Sequence, residues 1–188
     1  MTSEVSITVM LKGHVNMLIQ KLRGDSQPLP PRANGRAIAV AALGSGLAIS
    51  VLGMFGAAIQ STVLLGSLGA TCVLLFGFPD APFSQPRNIL LGHLITSFIG
   101  LSLVSILGYE LWVLSLVLSL ALASAIGAMM ITRTVHPPAG SNPVIIFLLH
   151  PSWGFMIFPT LVGALLIIMI GLIYLNVTRP ERYPKYWF

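Results

Sequence analysis

Charged side chains are scarce: the 188 residues carry 10 Lys plus Arg and 5 Asp plus Glu, 8% in all. A soluble domain carries about 25%, so these residues cannot cover a water-facing surface. That shortage excludes a soluble enzyme, a DNA-binding domain and a disordered chain. A lone cysteine, Cys72, excludes a disulfide framework and any cysteine-based zinc site. The four histidines are scattered, and no His-x-x-x-His, Gly-x-Ser-x-Gly or phosphate-cradling glycine loop occurs. Neither a metal nor a cofactor is therefore expected, and the chain does not read as an enzyme. What is abundant is apolar: 55% hydrophobic residues and a mean hydropathy of +0.90. The fold class is all-α, a polytopic membrane helix bundle in contact with the lipid bilayer.

The net charge of +5 is not a nucleic-acid footprint, because the basic residues sit at the two ends and in two loops. Between Ala37 and Thr178 the only formal charges are Asp80, Arg87, Glu110 and Arg133. Three regions follow: an N-terminal part (1–35), a membrane domain (36–176) and a basic, aromatic tail (177–188), with no soluble domain. Within the first, residues 5–23 read as an amphipathic helix lying on the membrane surface, since Leu11, Val15, Leu18 and Leu22 recur at helical spacing. A signal peptide is the bland alternative, but no A-x-A-like site follows. Pro28, Pro30 and Pro31 then form a stiff linker.

A crossing helix needs about 20 apolar residues. Five stretches qualify: Arg36–Ala57, Ser61–Gly77, Asn88–Gly108, Leu111–Ile131 and Trp153–Asn176. Pro143–His150 is apolar but too short, and reads as a re-entrant or broken helix. With the N-terminus cytoplasmic, Arg87 and Arg133 fall in cytoplasmic loops, while the connections at 58–60 and 109–110 lack Lys and Arg. Five crossings leave Arg179, Arg182 and Lys185 outside. Either Pro143–His150 supplies a sixth, broken crossing, or the tail departs from the rule. In the fourth stretch Ser115, Ser119, Ala123 and Gly127 form a small-residue stripe suited to close helix packing.

A weak internal repeat marks two polar loops. Gly69-Ala70 precedes a loop ending Ser84-Gln85-Pro86, and Gly127-Ala128 precedes one ending Ser141-Asn142-Pro143. His93 and His150 follow their serines at equal distance. Paired Gly/Pro interruptions point to a transporter binding site. Pro86 and Pro143 read as helix starts, with Ser84, Gln85, Ser141 and Asn142 as capping candidates. Two helix N-termini facing one hollow would hold a small anion. Arg87 and Arg133 add positive charge nearby, or serve only as topology anchors. His93 and His150 read equally well as packing histidines, and Asp80 as a turn cap. His136 is the stronger candidate, because a His-Pro-Pro-Ala-Gly run has no obvious packing purpose.

At His136-Pro137-Pro138-Ala139-Gly140 the chain resembles the HPP family of integral membrane proteins. Pro82-Phe83-Ser84-Gln85-Pro86-Arg87-Asn88 with Gly92-His93, and Thr132-Arg133-Thr134, resemble the family's other signatures. The resemblance covers roughly residues 36–176; it implies four spans, where the hydropathy gives five and a short piece. The continuation Ser141-Asn142-Pro143 is similar to the cyanobacterial and chloroplast branch. That branch implies nitrite as substrate and partner, a role in nitrogen assimilation, and residence in a bacterial inner (plasma) membrane. The expected substrate-binding set is Ser84, Gln85, Arg87, Asn88, His93, Arg133, His136, Gly140, Ser141 and Asn142. Competing readings are a membrane scaffold or regulatory subunit, and, ranked last, an intramembrane enzyme using His136. Channel or carrier, nitrite or another small anion, and monomer or homo-oligomer stay open.

Overall fold

The computed structural model describes residues 14–23, 27–60, 65–110, 112 and 114–187. The chain divides into two units, Met1–Ala33 and Asn34–Phe188. In the first, residues 14–22 are helical (α1) with Val15, Leu18 and Leu22 exposed. The expected start of that helix, including Leu11, lies outside the described residues, as do 61–64, Leu111 and Val113 of the expected spans.

The second unit is a helix bundle, and the described residues contain no strand. Its helices are α2 (Gly35–Ala58), α3 (Gly66–Gly77), α4 (Pro86–Leu107), α5 (Leu114–Ile131), α6 (Asn142–Leu149) and α7 (Val162–Thr178). Among the described residues four helical stretches are long and apolar enough to cross a membrane: α2, α4, α5 and Trp153–Thr178, which contains α7. The two others are short. The 12 residues of α3 reach about 18 Å at 1.5 Å each, well under a hydrocarbon core of about 30 Å. The second expected span is therefore not a full-length helix in the described residues. The other short piece begins earlier than Pro143: a 3-10 turn at Pro137–Ser141 runs directly into α6. Pro143 therefore sits inside a continuing first turn, and Pro137 opens the segment. Pro86 does open α4, its missing N–H costing nothing there.

Segment direction settles where the ends lie. Arg36 donates to the Thr178 carbonyl (3.1 Å), so α2 begins where α7 ends. Arg179 reaches Asp80 at 2.6 Å, and Arg87 donates to the Thr132 carbonyl at 3.0 Å. The loops at 78–85 and 132–136 thus share that end with the tail. At the opposite end the Tyr109 and His150 rings lie 4.1 Å apart, and the described residues there include no Lys or Arg. Six segments alternate in direction, long–short–long and again long–short–long, with the second half running opposite to the first. The short segment around Asn142–Leu149 runs away from the basic end, and the tail after α7 lies at the same end as Arg36.

Close approach builds the core. A Cβ on Gly92 would stand 2.7 Å from the His136 Cβ, and one on Gly100 would stand 3.1 Å from the Pro143 Cα. Both glycines let the proline-rich segment lie directly on α4. On α5 the buried stripe is Val117, Ala121, Ala125 and Met129. The expected stripe faces elsewhere: Ser115, Ser119 and Ala123 are exposed, and nothing lies within 4 Å of a Cβ placed on Gly127. The buried face instead carries two alanines between Val117 and Met129.

Candidate functional site

Among the described residues twelve polar ones are buried, an expensive arrangement in a bundle surrounded by lipid. Most of them converge where α3, α4 and the Pro137–Leu149 segment meet. His93 and His136 are fully buried, with ring centroids 5.1 Å apart. Thr71 lies between them, its Oγ1 2.9 Å from each Nε2. The His136 Nδ1 donates to the Phe83 carbonyl at 2.7 Å. Asn142 Nδ2 stands 3.2 Å from His93 Nδ1 and donates to Ser97 Oγ at 2.8 Å. Ser97 continues to Thr160 at 3.3 Å. An unbroken polar chain therefore runs from the loop at Phe83 to the start of the last helix. His93 is seven residues into α4, which puts the cluster roughly 10 Å from the basic end.

Among the described residues two atoms in this region have no partner: Asn142 Oδ1 and Ser67 Oγ. Buried polar atoms are normally bonded, so these are idle acceptor and hydroxyl positions beside the histidines. Among the described residues no three His, Cys, Asp or Glu side chains group as metal ligands.

The expected site residues separate into two sets. His93, His136 and Asn142 come together as described. Ser84, Gln85, Arg87 and Asn88 lie beside the His-Pro-Pro segment, as the two-loop reading requires, but their side chains hold structure. Ser84 Oγ donates to the Leu74 carbonyl, Gln85 Nε2 to Pro79 and Ala81, and Asn88 Nδ2 to Val135. They do not act as helix caps, since neither Gln85 nor Ser141 makes a side-chain cap bond. Ser141 is exposed and bonds the Pro138 carbonyl. Arg133 is exposed, and Gly140 packs against Leu122 at 3.5 Å from its would-be Cβ. Two successive prolines also remove the N–H donors that an anion would need at the start of the Pro137 turn. The segment's actual start, at Pro137 rather than at the expected Pro143, is thus poor in donors. His150 does not mirror His93; it ends α6 in a left-handed conformation and stacks on Tyr109.

Sequence reasoning missed Thr71, Ser67 and Ser97. Their signal was present: Ser67 and Thr71, and His93 and Ser97, are pairs four apart on apolar helices, so each pair shares a face.

The tail is part of this unit. The buried Tyr183 hydroxyl donates to the Ser84 carbonyl at 2.8 Å. Lys185 N donates to Gln85 Oε1 at 2.7 Å, and Tyr186 OH lies 3.2 Å from Asn88 Oδ1. Burial raises the Tyr183 hydroxyl above the ordinary tyrosine value. For Asp80 burial pulls upward, but the Arg179 and Lys185 bonds and charges prevail and lower its carboxyl. A cavity of about 530 Å³ opens at this end, lined in part by Asn34, Arg36, Phe76, Asp80, Arg179 and Glu181, and by neither histidine.

A bundle of apolar helices, two of them short, around an enclosed histidine–hydroxyl–amide chain defines a multi-pass integral membrane protein. Residues 30–184 match the family described as "HPP, transmembrane region". The chain belongs to that HPP transmembrane family. It is 33% identical to a transmembrane protein of Dictyostelium discoideum over 133 residues, 69% of this chain and 47% of that protein. To a second transmembrane protein of Dictyostelium discoideum it is 30% identical over 193 residues, 98% of this chain and 62% of that protein. The chain thus spans about half to three fifths of the length of these curated relatives. No solved structure matches it.

Proposed function

We propose that the protein is a carrier for nitrite, working without a covalent reaction, in a plasma membrane with its basic end cytoplasmic. One observation carries the transport reading: the enclosed chain Thr71–His93–His136–Asn142 sits where two short helical segments from oppositely directed halves meet. Short, Gly/Pro-interrupted segments at corresponding places in inverted halves are how transporters build a binding site inside the bilayer. Polar groups so costly to bury mark a pathway rather than a scaffold. The choice of nitrite rests on the likeness of Ser141-Asn142-Pro143 to the nitrite-associated branch. It agrees with the chemistry, since the cluster offers amide, hydroxyl and imidazole groups and holds no carboxylate. The cytoplasmic placement of the basic end follows the bias of Lys and Arg.

Proteoliposomes containing only this chain test the reading. Nitrite uptake is expected to saturate and to be slowed more by formate or cyanate than by sulfate. Uptake indistinguishable from protein-free liposomes contradicts it. The scaffold reading is favoured by one specific observation, that the Ser84–Asn88 side chains are spent on backbone carbonyls and the tail; it predicts no anion flux.

A further inference from the structure

The partners of the two rings assign which nitrogen of each carries its proton. A carbonyl only accepts, so the 2.7 Å contact with Phe83 O puts a proton on His136 Nδ1. An amide nitrogen only donates. Asn142 Nδ2 also faces the His93 carbonyl at 3.4 Å, which fixes the amide's orientation and leaves His93 Nδ1 as an acceptor. A neutral His93 then carries its proton on Nε2 and donates to Thr71 Oγ1. Neutral His136 presents a bare Nε2 to the same oxygen. Thr71 has one hydroxyl proton for two acceptors, the bare His136 Nε2 and the Ser67 carbonyl, each 2.9 Å away.

That competition is a switch. When His136 gains a proton on Nε2, the Thr71 hydroxyl has to turn to Ser67 O. When His93 gains one on Nδ1, the Asn142 amide has to turn over, and its unpartnered Oδ1 is the acceptor that this turn would use. Protonated His93 passes its charge to His136 through Thr71. The His93 Nε2–H bond breaks as a new O–H forms at Thr71, while the old O–H breaks as N–H forms at His136 Nε2. One positive charge moves from one ring to the other; Thr71 ends neutral with its hydroxyl aimed at the bare His93 Nε2, and His93 keeps its proton on Nδ1, facing the turned Asn142 amide.

Nothing nearby supplies a fixed countercharge. On α3 the facing groups are Thr71 and Ser67; on α4 they are His93 and Ser97; on the Pro137–Leu149 segment they are His136 and Asn142; the 82–84 turn offers the Phe83 carbonyl, and Thr160 is reached through Ser97. Arg87 is engaged with the Thr132 carbonyl, and no Asp, Glu, Lys or Arg bonds either ring among the described residues. A lone proton here is costly, and so is a lone monovalent anion. Each lowers the cost of the other, and such coupling is reciprocal.

We propose that His93, Thr71 and His136 form the proton-loading site of the carrier, taking up a proton together with the anion. The inference rests on the nitrite-transport reading and adds its coupling ion.

The test uses the full chain in liposomes with weakly buffered medium and an external pH indicator. Nitrite entry is expected to alkalinise the medium by about one proton per anion and to accelerate when the outside is made acidic. Thr71→Val, which keeps shape and removes the hydroxyl, is expected to slow entry about tenfold and abolish the response to the gradient; Thr71→Ser is expected to restore that response. Nitrite entry with no proton movement, or a Thr71→Val variant that still follows the gradient, overturns the proton site and leaves the transport reading standing. No nitrite entry at all overturns the transport reading, and the proton site with it. Nitrogen-15 spectra of labelled histidine in nanodiscs give an independent readout: Nδ1–H on His136 and Nε2–H on His93 are expected at neutral pH, and the opposite pair of tautomers overturns the assignment.

Discussion

Gly92→Ala is the sharpest mechanical test of the site. A Cβ at this position would lie 2.7 Å from the His136 Cβ and 3.3 Å from the Thr134 carbonyl oxygen. Carbon atoms sit comfortably at about 3.5–4.0 Å, so the His-Pro-Pro backbone must retreat by roughly 1 Å. His136 is held by bonds of 2.7 Å to Phe83 and 2.9 Å to Thr71. A retreat of that size takes both beyond about 3.2 Å, where such bonds cease to count. The overpacking alone costs about 1–3 kcal/mol. For a chain of this size each kcal/mol lowers Tm by about 2–4 °C. Thermal unfolding of purified protein in detergent reads the shift directly. Gly69→Ala is the control, because nothing lies within 4 Å of its added Cβ; it is expected to melt with the parent or slightly above. A Gly92→Ala variant that melts with the Gly69→Ala control refutes the claim that the proline-rich segment is seated on α4 through His136.

Other outcomes follow from the same geometry. Tyr183→Phe removes the buried hydroxyl that donates to Ser84 O; the orphaned carbonyl costs about 1–3 kcal/mol, read as faster hydrogen exchange over residues 180–187. Asp80 titrates below a free carboxyl, so its contribution to tail docking is complete above the ordinary range near pH ~3.9 and is lost as pH falls through the lowered value. At about half exposure the paired carboxylate contributes at most about 1 kcal/mol, so acid exchange of the tail is expected to quicken only several-fold. Cysteines placed at Gln60, Glu110 and Arg182 in a Cys72→Ala background are expected to label from opposite sides, Arg182 apart from the other two; labelling of all three from one side refutes the alternating path.

What the sequence made legible was set by sterics and charge. Pro86 announces the start of α4 because its ring fits only there, and the paucity of charge between Ala37 and Thr178 marks the bundle. The nearness of the Ser84–Asn88 and His136–Asn142 stretches followed from treating two similar loops as one place. Thr71 was invisible for a physical reason: a threonine in an apolar helix bonds its own backbone as readily as a distant histidine, and here it has both options. The small-residue stripe on α5 misled because small residues permit close packing without requiring it, and the neighbouring Val117–Met129 face fits the groove. His150 matched His93 in spacing, but α6 ends after eight residues and leaves it at the far end. The tail's grip on Ser84 and Gln85 depends on contacts about 100 residues apart, which no local pattern encodes.

The most direct measurement is nitrite entry into liposomes holding only this chain, parent beside Asn142→Leu. Saturable entry by the parent and a loss of about tenfold or more on removing the buried amide is the predicted result; equal rates for parent, variant and empty liposomes contradict the account.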